Sequence, residues 1–145
     1  MSQLAHPAHT LLEKLDGFSV IIDADRQRAD IVLERPPFNI ISMAQRDQLR
    51  LVFESLDENP AVRVIVLRAI GEHFSSGGDI RGFLDASPEH VSKLAWNIAA
   101  PARCSKPVIA ALAGHAVAGG LAIALWCALR VAEEDAVFGV FCRRW

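Results

Sequence analysis

"GHAVAGGLAIALWC", residues 114–127, is the stretch whose reading decides the fold. Three glycines fall in its first seven residues, and an uncharged apolar run follows. Just before it, "KPVIAAL" (106–112) has the β-branched start of a buried strand, so the whole reads as strand, turn, then helix. A competing reading takes Pro107 to Leu129, uncharged throughout, as one membrane span, because about 20 apolar residues cross a bilayer. The break in composition at "LAGHAVAGG" argues against a continuous helix, and the flanking Lys106 and Arg130 decide nothing.

Working outward, "FSVIIDA" (18–24) and "ADIVLER" (29–35) are short β-like runs separated by "DRQR", which predicts a hairpin. "SMAQRDQLRLVFESLDENP" (42–60) opens on Ser42 as an N-cap. It places Met43, Leu49, Val52, Phe53 and Leu56 near one face of a helix that Asn59-Pro60 stops. "VRVIVLRAI" (62–70) is apolar enough for a strand covered on both sides. "GEHFSSGGDIRGFLDASPEH" (71–90) has loop composition with a short turn of helix over Ile80–Leu84, and "HVSKLAWNIAAPARCS" (90–105) reads as a helix interrupted near Pro101. "AGHAVAGG" is then a turn, and the helix from Gly119 runs through "CALRVA" into a last strand within 130–140. Strands alternating with helices predict a mixed α/β fold with largely parallel pairing.

The chain has 145 residues, of which 52% are hydrophobic. That suits one domain with a real core, residues 18–145, behind a leader of residues 1–17 expected to be flexible. Lysine plus arginine (15) nearly balances aspartate plus glutamate (17), so no strong field points to nucleic acid or an anionic membrane as partner. Cys104, Cys127 and Cys142 are odd in number and lack C-x-x-C spacing. That argues against a disulfide framework and a zinc site, and suits a reducing, cytoplasmic setting. The histidines are scattered, with His6 and His9 in the leader, and no metal is expected. The leader lacks the charged-then-apolar layout of a secretion signal.

Two glycine pairs, Gly77-Gly78 and Gly119-Gly120, each follow a predicted buried strand, and the second opens a helix. Strand ends and helix N-termini carry unpaired N–H groups that glycine leaves open to a ligand. Two such donors converging on one point form an oxyanion hole, whereas two tight turns would use the same glycines for backbone conformation alone. The residues leave both readings open. Neither pair is followed by a phosphate-loop lysine.

In order along the chain, "LERPPFNIIS", "VRVIVLRAIGEHFSSGGDI", "SKPVIAALAGHAVAGGLAIAL" and "CALRVAEEDAVFGV" resemble the enoyl-CoA hydratase/isomerase, or crotonase, family over about Phe18 to Cys142. The resemblance implies an α/β fold of ββα units wound into a spiral, here only its N-terminal portion, cut before the C-terminal helical region. It also implies homotrimers or hexamers, and acyl-CoA thioesters as ligands, with coenzyme A part of the substrate and no separate cofactor. By motif position the two N–H groups that hold the thioester enolate fall on Gly78 and Gly119. Ser76, Gly77, Gly78, Asp79, Ile80, Gly119 and Gly120 would contact the substrate, with the backbone around Ser76 and Gly78 near the adenine.

The two glutamates that serve the family's hydratases fall on Ala122 and Cys142, and an aspartate position on Ala128. A methyl group can neither accept nor donate a proton in catalysis, so the usual hydration cannot run through Ala122. Cys142, with an ordinary thiol pKa of about 8.5, is a substitute proton carrier or a buried small hydrophobe. Asp79 is expected to hold its own loop, His115 to be structural or solvent-facing, Trp126 to pack in the core or against a subunit, and Arg143 and Arg144 to be surface charge or a phosphate clamp. The resulting expectation is acyl-CoA binding with weak or no hydratase turnover. Its rivals are a non-catalytic assembly module on the same fold and another thioester isomerase or C–C lyase that uses residues from elsewhere.

Overall fold

The computed structural model describes residues 14–141. Seven strands and five helices follow in order: β1 (Phe18–Asp23), β2 (Arg28–Leu33), α1 (Met43–Glu58), β3 (Val64–Ala69), α2 (Ile80–Leu84), α3 (Pro88–Ile98), α4 (Ala100–Arg103), β4 (Val108–Leu112), β5 (His115–Val117), α5 (Gly119–Trp126), β6 (Leu129–Ala132) and β7 (Val137–Gly139).

The larger sheet has the order β1-β2-β3-β4-β6. β1 and β2 form the predicted antiparallel hairpin in the register Phe18 opposite Leu33, and every later pairing is parallel. A second layer is built from shorter pieces. Ile41 bridges Gly78, Ser75 bridges Ala116, and β5 pairs in parallel with β7. Each turn of the chain therefore lays one strand in the large sheet and one short segment in the second layer, then returns through a helix: β2 with Ile41 and α1, β3 with 75–78 and α2 to α4, β4 with β5 and α5, β6 with β7. This is a spiral of ββα units, the architecture expected.

The core lies between the large sheet and the helices. Ile31, Leu33, Ile65, Leu67, Val108 and Ala110 from the strands meet Leu49, Val52, Phe53 and Leu56 of α1. α1 starts where Ser42 accepts the Gln45 N–H while the Gln45 side chain returns to the Ser42 N–H, a complete capping box. It ends at Asn59, whose N–H caps Leu56. Below that end, Asp57 receives the backbone N–H groups of Ser105 and Lys106 and the Ser105 hydroxyl, at 2.9 to 3.1 Å. This clamp ties the end of α1 to the entry of β4.

Three sequence expectations are corrected. "AGHAVAGG" is not only a turn, because its His115–Val117 forms β5. The helix from Gly119 stops at Trp126, with Cys127 as its extended C-cap, and "CALRVAEEDAVFGV" holds two strands, β6 and β7, rather than one. β3 alternates in burial instead of being covered on both sides. The expected interruption near Pro101 is present, at Ala99, and Pro101 sits in the first turn of a separate helix, α4, where its missing N–H costs nothing. No helix among the described residues is long and apolar enough to cross a membrane.

Candidate functional site

The site forms where second-layer segments end. Residues 70–79 leave β3 and are held by Asn39, a buried side chain with φ +46°. Its Nδ2 donates to the Ile70 and His73 carbonyls at 2.9 and 2.7 Å, and its Oδ1 accepts the Arg35 N–H at 2.8 Å. The fully buried Ser75 hydroxyl donates to the Asn39 carbonyl and accepts the Gly77 N–H. The ladder to Ile41 then uses the Gly77 carbonyl and the Asp79 N–H. Alternation along an extended strand turns the Gly78 N–H to the opposite edge, toward α5. Asp79 finally caps α2 by accepting the Arg81 N–H at 3.0 Å, the loop-holding role expected for it.

The second arm comes from β5. Its Val117 N–H donates to the Ser75 carbonyl, and Ala118 then turns the chain at φ +49°, ψ −121°, a conformation an alanine rarely adopts. Gly119 follows as the first residue of α5, whose opening N–H groups have no carbonyl a turn earlier to bond. The two arms touch. A Cβ on Gly119 would lie 3.3 Å from the Gly78 nitrogen, and one on Gly77, where φ is +101°, would lie 2.8 Å from the Gly119 nitrogen. A methyl on Gly120 would run into the Ser75 carbonyl. Glycine at 77, 119 and 120 is thus what lets α5 abut the Gly78 strand. Among the described residues neither the Gly78 nor the Gly119 N–H has a hydrogen-bond acceptor. Two free donors side by side at a helix N-terminus can stabilise an oxygen that gains negative charge.

The pairs do not follow their strands as directly as the sequence suggested. Gly77 stands beyond a loop from β3, and Gly119 follows β5 rather than β4. Gly77 and Gly120 are buried, and Ser76, Gly78, Asp79 and Gly119 are half-buried around the same point, while Ile80 is exposed. Ala122 is half-buried on α5, one turn past Gly119. Cys142, Arg143, Arg144, His6 and His9 lie outside the described residues.

His115 is exposed, as expected, its Nδ1 3.3 Å from that of His73. Trp126 is exposed too, and so not in this chain's core. Burial pushes the Cys104 thiol up to about 11 and the Cys127 thiol up to about 12, so neither is a nucleophile near neutral pH. No cluster of metal-ligating side chains occurs among the described residues.

One residue of the site escaped the sequence reading. Arg46 lies in the first turns of α1, 7% exposed, with its guanidinium carbon 5.1 Å from the Phe83 ring centroid and its Nη2 against the Gly78 backbone. An arginine among the inward positions Leu49, Val52, Phe53 and Leu56 was the visible signal.

A family model for enoyl-CoA hydratase/isomerase matches residues 25–142, and the chain belongs to that family. It is 30% identical over 127 residues to the peroxisomal Δ(3,5)-Δ(2,4)-dienoyl-CoA isomerase of Arabidopsis thaliana, covering 76% of this chain and 46% of that protein. It is 30% identical over 118 residues to the mevalonyl-coenzyme A hydratase of Aspergillus fumigatus, covering 76% and 43%. The crystal structure of enoyl-CoA hydratase from Mycobacterium smegmatis superposes with a TM-score of 0.79 at 26% identity, covering 88% of this chain and 50% of that one. The chain spans about half the length of the curated relatives it matches.

Proposed function

We propose that this chain binds an acyl-CoA thioester with its carbonyl oxygen between the Gly78 and Gly119 N–H groups. The carrying observation is the contact of these two acceptor-free amides. Their positive ends polarise the thioester and lower the energy of its enolate, an effect of about 3 kcal/mol per donor in a dry site. Ser76, Gly77, Asp79 and Gly120 shape the backbone around the same oxygen, and Ile80 is exposed beside them.

Hydration of an enoyl thioester is slow or absent in this reading. Ala122 can neither hold water nor move a proton, and a cysteine stands at the second acid position. A double-bond shift or C–C cleavage, with the proton carried by a group outside the described residues, fits the same oxyanion site. Coenzyme A enters as part of the substrate, and the assembly is a trimer or hexamer in a reducing, cytoplasmic setting.

Calorimetric titration with butyryl-CoA, and with free CoA as control, tests the reading. Tighter binding of the thioester supports it, and equal binding or none refutes it. Turnover of crotonyl-CoA at an ordinary hydratase rate would refute the catalytic half. A second reading, a non-catalytic assembly module, is favoured by the exposed apolar side chains Leu125, Leu129 and Val131 on α5 and β6. It predicts stable oligomers indifferent to acyl-CoA.

A further inference from the structure

The observation that carries furthest is the state of Arg46. The residue is more than nine-tenths buried, and among the described residues its Nε is a buried donor with no acceptor. Among the described residues neither of its terminal nitrogens forms an ion pair. The carboxylates adjacent in sequence to Arg46 and to Gly78 are engaged elsewhere: Asp47 receives the Asn97 amide, and Asp79 caps α2. Among the described residues the only charge-related contact Arg46 makes is with the face of Phe83, which is far weaker than a carboxylate would provide. Burial without a partner also lowers its pKa.

A buried, unpaired cation destabilises a fold, and the cost is offset when an anion arrives. The guanidinium reaches the Gly78 backbone from the side of α1 and Phe83, and Gly78 carries one of the two thioester-binding amides. An anion seated there would sit a few atoms from the thioester carbonyl. On a coenzyme A thioester that carbonyl carries the acyl chain on one side and the sulfur of the uncharged pantetheine arm on the other. The phosphates lie many atoms away, so an anion at this distance belongs to the acyl chain.

We propose that Arg46 is a specificity-determining residue that pairs with a carboxylate on the acyl group, so that the preferred ligands are CoA thioesters of short dicarboxylic acids. The assignment rests on the acyl-CoA reading above. Arg46 supplies parallel N–H donors in a fork that matches a carboxylate, and the Phe83 ring screens the pair from water on one side. A neutral acyl chain would leave the cation unpaired.

The test is calorimetric titration of the full-length protein with succinyl-CoA and glutaryl-CoA, against butyryl-CoA, pentanoyl-CoA and free CoA. The wild type is expected to bind at least one dicarboxylic thioester about tenfold or more tighter than its neutral counterpart, consistent with a charge-assisted hydrogen bond in a dry site. Arg46→Met should abolish that ratio and Arg46→Lys should retain part of it. Equal affinity of wild type for charged and neutral thioesters overturns the proposal without reference to any variant. A ratio that survives in Arg46→Met overturns it, as does an equal loss of affinity for free CoA, which would place the anion on the nucleotide phosphates. If neutral thioesters outbind free CoA but show no ratio to the charged ones, only this inference fails. If no thioester outbinds free CoA, the underlying function reading fails with it.

Discussion

Ala118 does the unusual work at the residue scale. Its φ of +49° with ψ −121° is a backbone state that costs an L-residue of order 1–3 kcal/mol, and it turns the chain so that Gly119 lies against the Gly77-Gly78 backbone. Ala118→Gly is therefore expected to raise stability by about 1 kcal/mol in urea unfolding. A destabilised variant would mean that the Ala118 methyl, close to Gly77, is packed more usefully than its backbone is strained. Gly119→Pro removes one donor and also sets a ring against the Gly78 strand, so it tests the amide and the close approach of the two arms together. Thioester affinity should fall about fivefold or more, by about 1 kcal/mol or more, with circular dichroism reporting whether α5 is kept. An unaltered affinity would show that the second amide takes no part.

Among the elements, α1 contributes most to holding the site. Its first turns carry the capping box, the Ser42 hydroxyl bond to Asp16 and the Arg46 guanidinium. Its far end is fixed by the Asp57 clamp. Partial burial would raise the Asp57 pKa, but the N–H groups of Ser105 and Lys106 outweigh it and hold the carboxyl below its ordinary value. A depressed folded-state pKa contributes stability that is fully present above the unfolded value, near 4, and lost as pH falls through the folded one. Asp57→Ala should cost about 1–2 kcal/mol at neutral pH. It should also flatten the loss of stability that the wild type shows below about pH 4, measured by denaturant melts across acid pH. Parallel wild-type and variant profiles would remove Asp57 from the acid response.

On the scale of the whole molecule, the last described turn of the spiral exposes apolar side chains. All four residues of β6 are exposed, and Leu125, Trp126, Leu129, Val131, Phe138 and Phe141 are large apolar residues open to solvent on and around it. Exposed apolar surface of this kind marks an interface or an aggregation risk. In sedimentation, a chain of these 145 residues should self-associate with rising concentration, and Leu129→Glu should shift it toward monomer. A wild type that stays monomeric at high concentration would refute the expectation.

The periodic, local part of this architecture was legible in the sequence. The β1–β2 hairpin, the Ser42 cap, the Asn59 stop, the short α2 and the glycine turn all rest on residue types whose backbone preferences act over a few positions. The membership of the glycine pairs in one site was reachable only through resemblance, because their nearness depends on second-layer bridges between segments far apart in sequence. β5 and the split of the last segment into β6 and β7 were not legible, since three- and four-residue strands exist only by pairing with partners that tertiary structure supplies. Arg46 shows the same division. The sequence determined that a charged side chain sits on the apolar face of α1, whereas only the packed structure decided that, among the described residues, it lies unpaired beside Gly78, because burial and the absence of a counter-charge are properties of neighbours in space.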